Sequence, residues 1–226
     1  MKHERQTSLC IPLMAQNEIF GLLFIYRGSE RFNTLIPVIA ETISLAIANI
    51  KLKELLHTQS IRDPLTGLLN RRFLDEYIIK QIGQSKRTKA SITLIMVDVD
   101  NFKNVNDTFG HETGDYVLSC LGNLFLSLVR EGDLICRYGG EEFLFVLPNC
   151  DLESAKIAAE SIRNEVHKMR IVIEGAVSNI TISLGVSIYP SDGSSLKELI
   201  DAADQALYVA KKKGKNRAIV FSEIDK

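Results

Sequence analysis

Arg137-Tyr138-Gly139-Gly140-Glu141-Glu142-Phe143, set between the apolar runs Leu134–Cys136 and Leu144–Leu147, is the stretch whose reading decides the fold. Two short strand-like runs around a glycine pair predict a tight hairpin, because glycine reaches the positive φ values that hairpin turns use. On the returning strand, Glu141 and Glu142 project to opposite faces of the sheet, so at most one of them shares a face with a given partner. A turn free of side chains also lets the flat surface or the phosphates of another molecule approach the main chain. Taken alone, the heptapeptide also fits an ordinary exposed turn with charged flanks.

Upstream, the apolar, β-branched run Ser91–Val97 predicts a strand that ends in Asp98-Val99-Asp100. Asp98 and Asp100, two apart, project to one face, with the Val99 carbonyl between them. Hard oxygen donors of this kind suit Mg2+ or Mn2+, and Mg2+ takes one or two protein carboxylates and completes its shell with water and phosphate oxygens. If this strand pairs with the hairpin, Asp98 and the Glu141-Glu142 pair share one metal site. Such sites catalyse phosphoryl transfer by neutralising charge and aligning the attack. Without that pairing, Asp98 and Asp100 read as a solvated strand end.

With 226 residues, 46% of them hydrophobic, the chain holds one full domain and part of a second. A net charge of −1 gives no electrostatic reason to expect nucleic acid or an anionic membrane surface as partner. Cys10, Cys120, Cys136 and Cys150 are widely spaced with no CxxC pair and mostly lie in apolar runs. They read as reduced core residues, which predicts a cytoplasmic protein. No stretch approaches the ~20 uninterrupted apolar residues of a membrane span, and the N-terminus lacks the pattern of a secretory signal.

Residues 1–58 read as a separate piece. Strands are expected over Ser8–Met14 and Ile19–Tyr26, around the polar turn Ala15-Gln16-Asn17-Glu18. From about Thr34 a long helix follows, with an apolar stripe of Ile36, Ile39, Ile43, Ala46, Ile47 and Ile50 and Pro37 in its first turn. Its near-heptad spacing leaves two readings open, packing on its own domain or a parallel coiled coil between two chains. Asp63-Pro64 breaks this helix, and Asn70-Arg71-Arg72-Phe73 begins another. Phe102–Gly114 reads as a polar, irregular loop whose amides and carboxylates suit the edge of a purine. Helices are expected over Asp115–Arg130, Leu152–Met169 and Leu196–Lys213, and a half-buried strand over Ile180–Ile188.

These residues carry a family resemblance. Asp98-x-Asp-x-Phe102-Lys103-x-x-Asn106-Asp107-x-x-Gly110-His111-x-x-Gly114-Asp115, followed by Arg137 to Phe143, resembles the GGDEF domain of diguanylate cyclases in its GGEEF spelling. Asp63-Pro64-Leu65-Thr66-Gly67-Leu68-x-Asn70-Arg71-Arg72 is similar to the family's opening signature. Ala203-Asp204-x-Ala206-Leu207-Tyr208-x-Ala210-Lys211-x-x-Gly214-x-Asn216 is similar to its closing one. Residues 1–58 resemble the last part of a GAF sensory domain, leaving 59–226 for the cyclase domain.

The resemblance implies an α/β (α+β) fold with a central, mainly antiparallel sheet flanked by helices, like the palm of nucleotide cyclases and polymerases. It implies condensation of two GTP into cyclic di-GMP with release of pyrophosphate, across a homodimer in which each chain holds one GTP. Asp98, the Val99 carbonyl and Glu141 are the implied metal ligands, with Glu142 as a further carboxylate. One of the two glutamates, Glu141 by preference, takes the hydroxyl proton, and Lys103 stabilises charge on the phosphates. Phe102, Asn106, His111, Asp115, Gly139, Gly140, Lys211 and Lys215 are implied to line the substrate site, Asn106 and Asp115 reading guanine. Lys215 stands where many members carry arginine, so the bidentate fork is lost there. Arg130-x-x-Asp133 matches the family's product-inhibition site. A domain that binds GTP or cyclic di-GMP without turnover is the alternative.

Overall fold

Ile92–Val99 is buried at every position. Alternation of its side chains explains how: Ile95, Val97 and Val99 enter one apolar core, and Ile92, Leu94 and Met96 enter another. The computed structural model describes residues 8–15, 18–26, 35–173 and 176–224, and the chain divides into two units, Met1–Ser60 and Ile61–Lys226. The first contains strands β1 (Ser8–Ala15) and β2 (Glu18–Tyr26) and most of helix α1 (Leu35–Ile61). The second begins with β3 (Leu69–Asn70), α2 (Arg71–Thr88), β4 (Ile92–Val99), α3 (Phe102–Phe109) and α4 (His111–Leu128). It continues with β5 (Leu134–Gly139), β6 (Glu142–Pro148), α5 (Leu152–Lys168), β7 (Arg170–Ile173), β8 (Ala176–Asn179), β9 (Ile182–Tyr189), α6 (Leu196–Lys212) and β10 (Ala218–Val220).

Six of these strands form one sheet in the order β10-β9-β4-β6-β5-β3. The inner pairings are antiparallel, and the outermost pairs, β10 with β9 and β3 with β5, are parallel. The unit is therefore a mixed α/β domain with a mainly antiparallel sheet and helices on both faces, as the resemblance implied. On one face α2 and α6 contribute Leu74, Ile78, Leu199, Ala203 and Leu207. On the other, Phe125 of α4 meets Phe143 and Phe145 of β6 edge-on, with ring centroids 5.1 and 5.2 Å apart. Gly185 of β9 admits α6 directly: a Cβ there would stand 2.0 Å from the Ala203 carbonyl oxygen.

Phe102–Gly114, expected as a loop, is instead helix α3 and the start of α4, joined at Gly110 with φ +82°. Asn and Asp are weak helix formers, but Phe102, Val105 and Phe109, at positions i, i+3 and i+7, pack on the core, and that burial prevails. Helix α4 also ends earlier than expected, at Leu128, so Arg130 lies beyond the helix in the following turn. The hairpin β7–β8 and strand β10 were not expected at all.

In the first unit β1 and β2 pair antiparallel. Gln16 and Asn17 of the expected turn, and Thr34, lie outside the described residues. The expected stripe of α1 divides: Ile36 is buried and Ile43 and Ile47 half-buried, whereas Ile39, Ala46 and Ile50 are exposed; Ala40 and Ser44, outside that stripe, are buried. Over Leu35–Lys53, α1 is long and apolar enough by length and composition to cross a membrane, although Glu41, Asn49 and Lys51 interrupt its apolar run. All four cysteines are free; Cys136 and Cys150 are buried as expected, but Cys10 is exposed. Burial pushes the Cys136 thiol up to about 12.

Candidate active site

The register between β4 and β6 sets Asp98 directly opposite Glu142. Opposed residues of an antiparallel pair share a face, so Glu142 is the carboxylate that stands beside Asp98. Glu141 lies in the turn, outside the ladder, where its carbonyl accepts a hydrogen bond from Val99 N at 3.3 Å. A register irregularity between Arg137 and Gly139 pairs Gly139 with Glu142 and leaves Gly140 and Glu141 as the turn residues. Neither Gly139 nor Gly140 takes a left-handed φ, in contrast to Gly67, Gly110, Gly132 and Gly214. Of the two reasons expected for the glycine pair, positive φ is absent and the side-chain-free turn remains. A Cβ on Gly140 would meet nothing within 4 Å, so the turn presents bare main chain to whatever approaches.

Charge at this strand end is poorly balanced. Asp98 is only 7% exposed, and burial raises its carboxyl above the ordinary 3.8 although the Lys211 ammonium sits 2.7 Å from Oδ2. Burial, then Asp98 and Asp204, likewise raise Glu142 above 4.5. Asp204 of α6 is itself raised, by burial and by Asp201. Among the described residues no three Asp, Glu, His or Cys side chains stand close enough to cage a metal. Two facing carboxylates and the Val99 carbonyl nevertheless suit a hard cation that draws its other ligands from water and phosphate. Lys211 already supplies positive charge to Asp98 in that place.

Asp100, although within the same motif, is differently engaged. Its Oδ1 accepts from the Ser183 hydroxyl at 2.7 Å, and Oδ2 accepts from the Thr181 hydroxyl at 2.8 Å and Asn216 N at 3.0 Å. It ties the end of β4 to the start of β9 and to the loop after α6.

The raised carboxyls have a thermodynamic consequence. The folded state holds the Glu142 proton to higher pH than the unfolded chain does, so this stabilising contribution is present at low pH and lost as pH rises from the ordinary 4.5 through the raised folded value. Glu142→Gln is therefore expected to raise the melting temperature near pH 7 in metal-free buffer, and to gain less near pH 4. Calorimetry at the two pH values checks this; a loss of stability at neutral pH would show that the pair is not under mutual repulsion.

The remaining expected residues fall on neighbouring elements. Lys103 and Asn106 lie on α3, His111 and Asp115 one turn apart on α4, and Lys103, His111 and Asp115 are exposed. The Phe102 ring is 6% exposed and belongs to the core, which leaves its main chain rather than its ring for a ligand. Gly114 is buried against the Asn106 amide: a Cβ there would come 1.9 Å from Asn106 Oδ1. Lys211 and Lys215 flank the C-terminal end of α6, and Lys215, with φ +61°, donates to Asn101 Oδ1.

Arg130 and Asp133 bind one another, Nε to Oδ1 at 3.2 Å, and Arg130 also reaches the Pro148 carbonyl at 3.1 Å. Both border a hollow of about 250 Å3 with Asn149, Cys150 and Ser154. Arg163 of α5 is engaged with Glu160, Asn164 and Asn216.

Arg137, quoted in the sequence without a role, has one in the structure. Arg137 donates from Nε and Nη2 to the Gly140 carbonyl at 3.0 and 2.9 Å, and from Nη1 to both oxygens of Asp63 at 3.2 Å. Burial disfavours charge on Asp63, but the Thr66 hydroxyl and amide together with Arg137 outweigh it and hold the carboxyl below 3.8. The opening motif thereby buttresses the glycine turn. Its signal was a charged pair within two motifs already singled out, but 74 positions apart.

A mainly antiparallel sheet with helices on both faces, and acidic groups across two central strands at their ends, define an α/β domain of the nucleotide-cyclase palm type. Residues 60–217 match the family described as diguanylate cyclase, GGDEF domain, and the chain belongs to that family. It is 36% identical over 220 residues to diguanylate cyclase A of Treponema denticola, covering 93% of this chain and 58% of that protein. The chain thus spans little more than half the length of that relative. The coiled coil and GGDEF domain of DgcB from Caulobacter crescentus, solved in complex with c-di-GMP, superposes with a TM-score of 0.77 at 26% identity, covering 83% of this chain and all of that one. The active GGEEF domain of a diguanylate cyclase from Vibrio cholerae gives a TM-score of 0.64 at 36% identity, covering 68% and 97%.

Proposed function

We propose that the chain condenses two GTP molecules into cyclic di-GMP with release of two pyrophosphates, each 3′-hydroxyl attacking the α-phosphate of the other nucleotide. The observation that carries this reading is the placement of Asp98 opposite Glu142 with Lys211 beside them. Asp98, Glu142 and the Val99 carbonyl would hold Mg2+ or Mn2+, with Glu141 joining from the turn. When bound, the ion supplies charge neutralisation on the phosphates. Glu142 is committed opposite Asp98, so Glu141 is left to accept the hydroxyl proton, directly or through water. Lys103, Lys211 and Lys215 offset phosphate charge, and His111 and the Phe102 main chain border the nucleotide. The bare main chain of Gly139 and Gly140 lets it approach, and Asn106 with Asp115 reads the guanine edge.

A cyclic product needs two nucleotides face to face, so the active species is a homodimer in which each chain brings one GTP. The match to the DgcB coiled coil and GGDEF domain covers more of this chain than residues 60–217, which supports a role for α1 in pairing. Arg130 and Asp133, bordering their hollow, would bind cyclic di-GMP as an inhibitor. The antiparallel pair followed by a long helix supports a GAF-like sensory end for residues 1–58, ahead of a cyclase domain at 59–226. The free cysteines fit a cytoplasmic setting.

Incubation of the purified chain with GTP and Mg2+, followed by chromatography for cyclic di-GMP, tests the reading. Product supports it, and cyclic di-GMP found bound to an inactive preparation supports an inhibited cyclase. Absence of both product and bound nucleotide would overturn it. Within the same assay, Gly114→Ala is expected to raise KM for GTP about tenfold, the factor that one lost hydrogen bond of about 1.4 kcal/mol gives. The new methyl would meet Asn106 Oδ1 at 1.9 Å, the far end of a flexible side chain, and Phe102 Cζ at 3.1 Å, which a shift of a few tenths of an ångström relieves. The fold therefore survives while the base-reading amide moves, and an unchanged KM would remove Asn106 from the guanine site.

A further inference from the structure

Among the described residues five that are not glycine take a left-handed φ, and three of them meet beside the acidic end of β4: Asn101 at +57°, Lys215 at +61° and Asn216 at +45°. Such conformations cost free energy and persist only where the surroundings hold them. Asp100, 6% exposed, is the anchor. Fixed by the Ser183 and Thr181 hydroxyls, it accepts from Asn216 N and so holds the loop after α6. The main chain of Lys215 is fastened on both sides, its N–H donating to the Ala210 carbonyl and its carbonyl accepting from Arg217 Nε, each at 3.1 Å. Asn101 adds a side-chain contact. It is the N-cap of α3, where asparagine ordinarily accepts a bond from the first turn, yet no such bond forms. Its Oδ1 accepts from Lys215 Nζ instead.

We propose that Asn101, on the loop anchor that Asp100 provides, is a positioning residue that aims the Lys215 ammonium at the phosphates of the nucleotide. It supplies from outside the direction that arginine carries in its own planar fork. The proposal rests on the reading of Lys215 as a phosphate contact given above, and names what makes a lysine sufficient in that place. Three features favour aim over restraint. Asn101 is neutral, so Lys215 keeps its full charge for an anion, whereas Lys211 faces the Asp98 carboxylate. An ammonium has three donors, and the amide takes one of them, leaving two for phosphate oxygens. Lys211 and Lys215, near the end of α6, reach Asp98 and Asn101 in the same order along the chain that leaves β4, so the two cations are set at successive points beside the strand end. A lysine held in this way has already lost the rotamer freedom that binding would otherwise remove.

The test is Asn101→Gly in the full chain, because glycine keeps the left-handed backbone without strain and removes only the amide. KM for GTP is expected to rise about fivefold, the scale of one ordinary hydrogen bond, with kcat changed less than about twofold. Adding Lys215→Arg is expected to recover most of the loss, since the fork brings its own direction; a merely structural role for Asn101 would leave the loss unrepaired. Calorimetric binding of a GTP analogue with a methylene bridge between the α- and β-phosphorus is expected to weaken and recover in step. Unchanged KM and affinity in Asn101→Gly would overturn the proposal. Tighter binding would overturn it too, by making Asn101 a restraint that keeps Lys215 from the nucleotide, and so would a loss that Lys215→Arg does not repair. Failure of the cyclase reading is distinguishable: analogue affinities that follow the expected pattern in a chain that makes no cyclic di-GMP leave the role of Asn101 standing and count against the enzyme.

Discussion

Asp98→Ala is expected to lower cyclic di-GMP synthesis by about 10³-fold or more, the scale on which removing a charge-stabilising group acts. The carboxylate sits at the end of the central strand, opposite Glu142, with Lys211 as its counter-ion. Its removal takes away one of two facing carboxylates. The fold should tolerate the change, because Lys211 stays beside Glu142, which already feels its charge. Binding of cyclic di-GMP at Arg130 and Asp133, measured by calorimetry, should be unaltered, since those residues bond one another and Pro148 rather than the strand end. Lost synthesis with retained binding identifies a cyclase. Retained synthesis would overturn the metal assignment, and a wild-type chain that binds product without making it would identify a receptor.

The second large effect concerns stability. Gly185→Ala places a methyl 2.0 Å from the Ala203 carbonyl oxygen, 2.4 Å from Leu207 N and 2.9 Å from Leu207 Cα, all backbone atoms of α6. No side-chain rotation relieves this, so the helix must lift off β9, against the Ser187 hydroxyl bond to the Leu199 carbonyl at 2.7 Å. Overpacking of this kind costs about 3 kcal/mol or more, which in a domain of this size lowers the melting temperature by roughly 6–12 °C. Urea unfolding measures it, and a change below about 1 kcal/mol would mean that α6 is not held as described. Because α6 also carries Lys211 and Asp204, whatever variant folds should turn over more slowly.

The central hairpin and β4 were legible because alternation, a glycine pair and terminal carboxylates all agree there. Less was legible where local preference and packing disagree. Asn104, Asn106, Asp107 and Gly110 argue against a helix, and only the burial of Phe102, Val105 and Phe109 overrides them. The strands of β7, β8 and β10, three or four residues each, are too short for a period to show. The stripe of α1 blurred because the helix is apolar on two flanks. Within the site, residue types were readable and register was not. An irregularity between Arg137 and Gly139 decides which glutamate faces Asp98, and spacing alone cannot locate it.

That register bears on how the family's signature is spelled. The family takes its name from Gly-Gly-Asp-Glu-Phe, whereas this chain and the Vibrio cholerae relative carry Glu in the third place. The third letter, Glu141, sits in the turn and owes no pairing to the ladder, so a side chain one methylene shorter or longer can be aimed by a small adjustment of the loop. The fourth letter, Glu142, is fastened by main-chain pairing opposite Asp98, where reach is dictated by the distance between two strands. One letter of the signature is thus free to drift and its neighbour is not, a grammar written by the sheet rather than by the reaction.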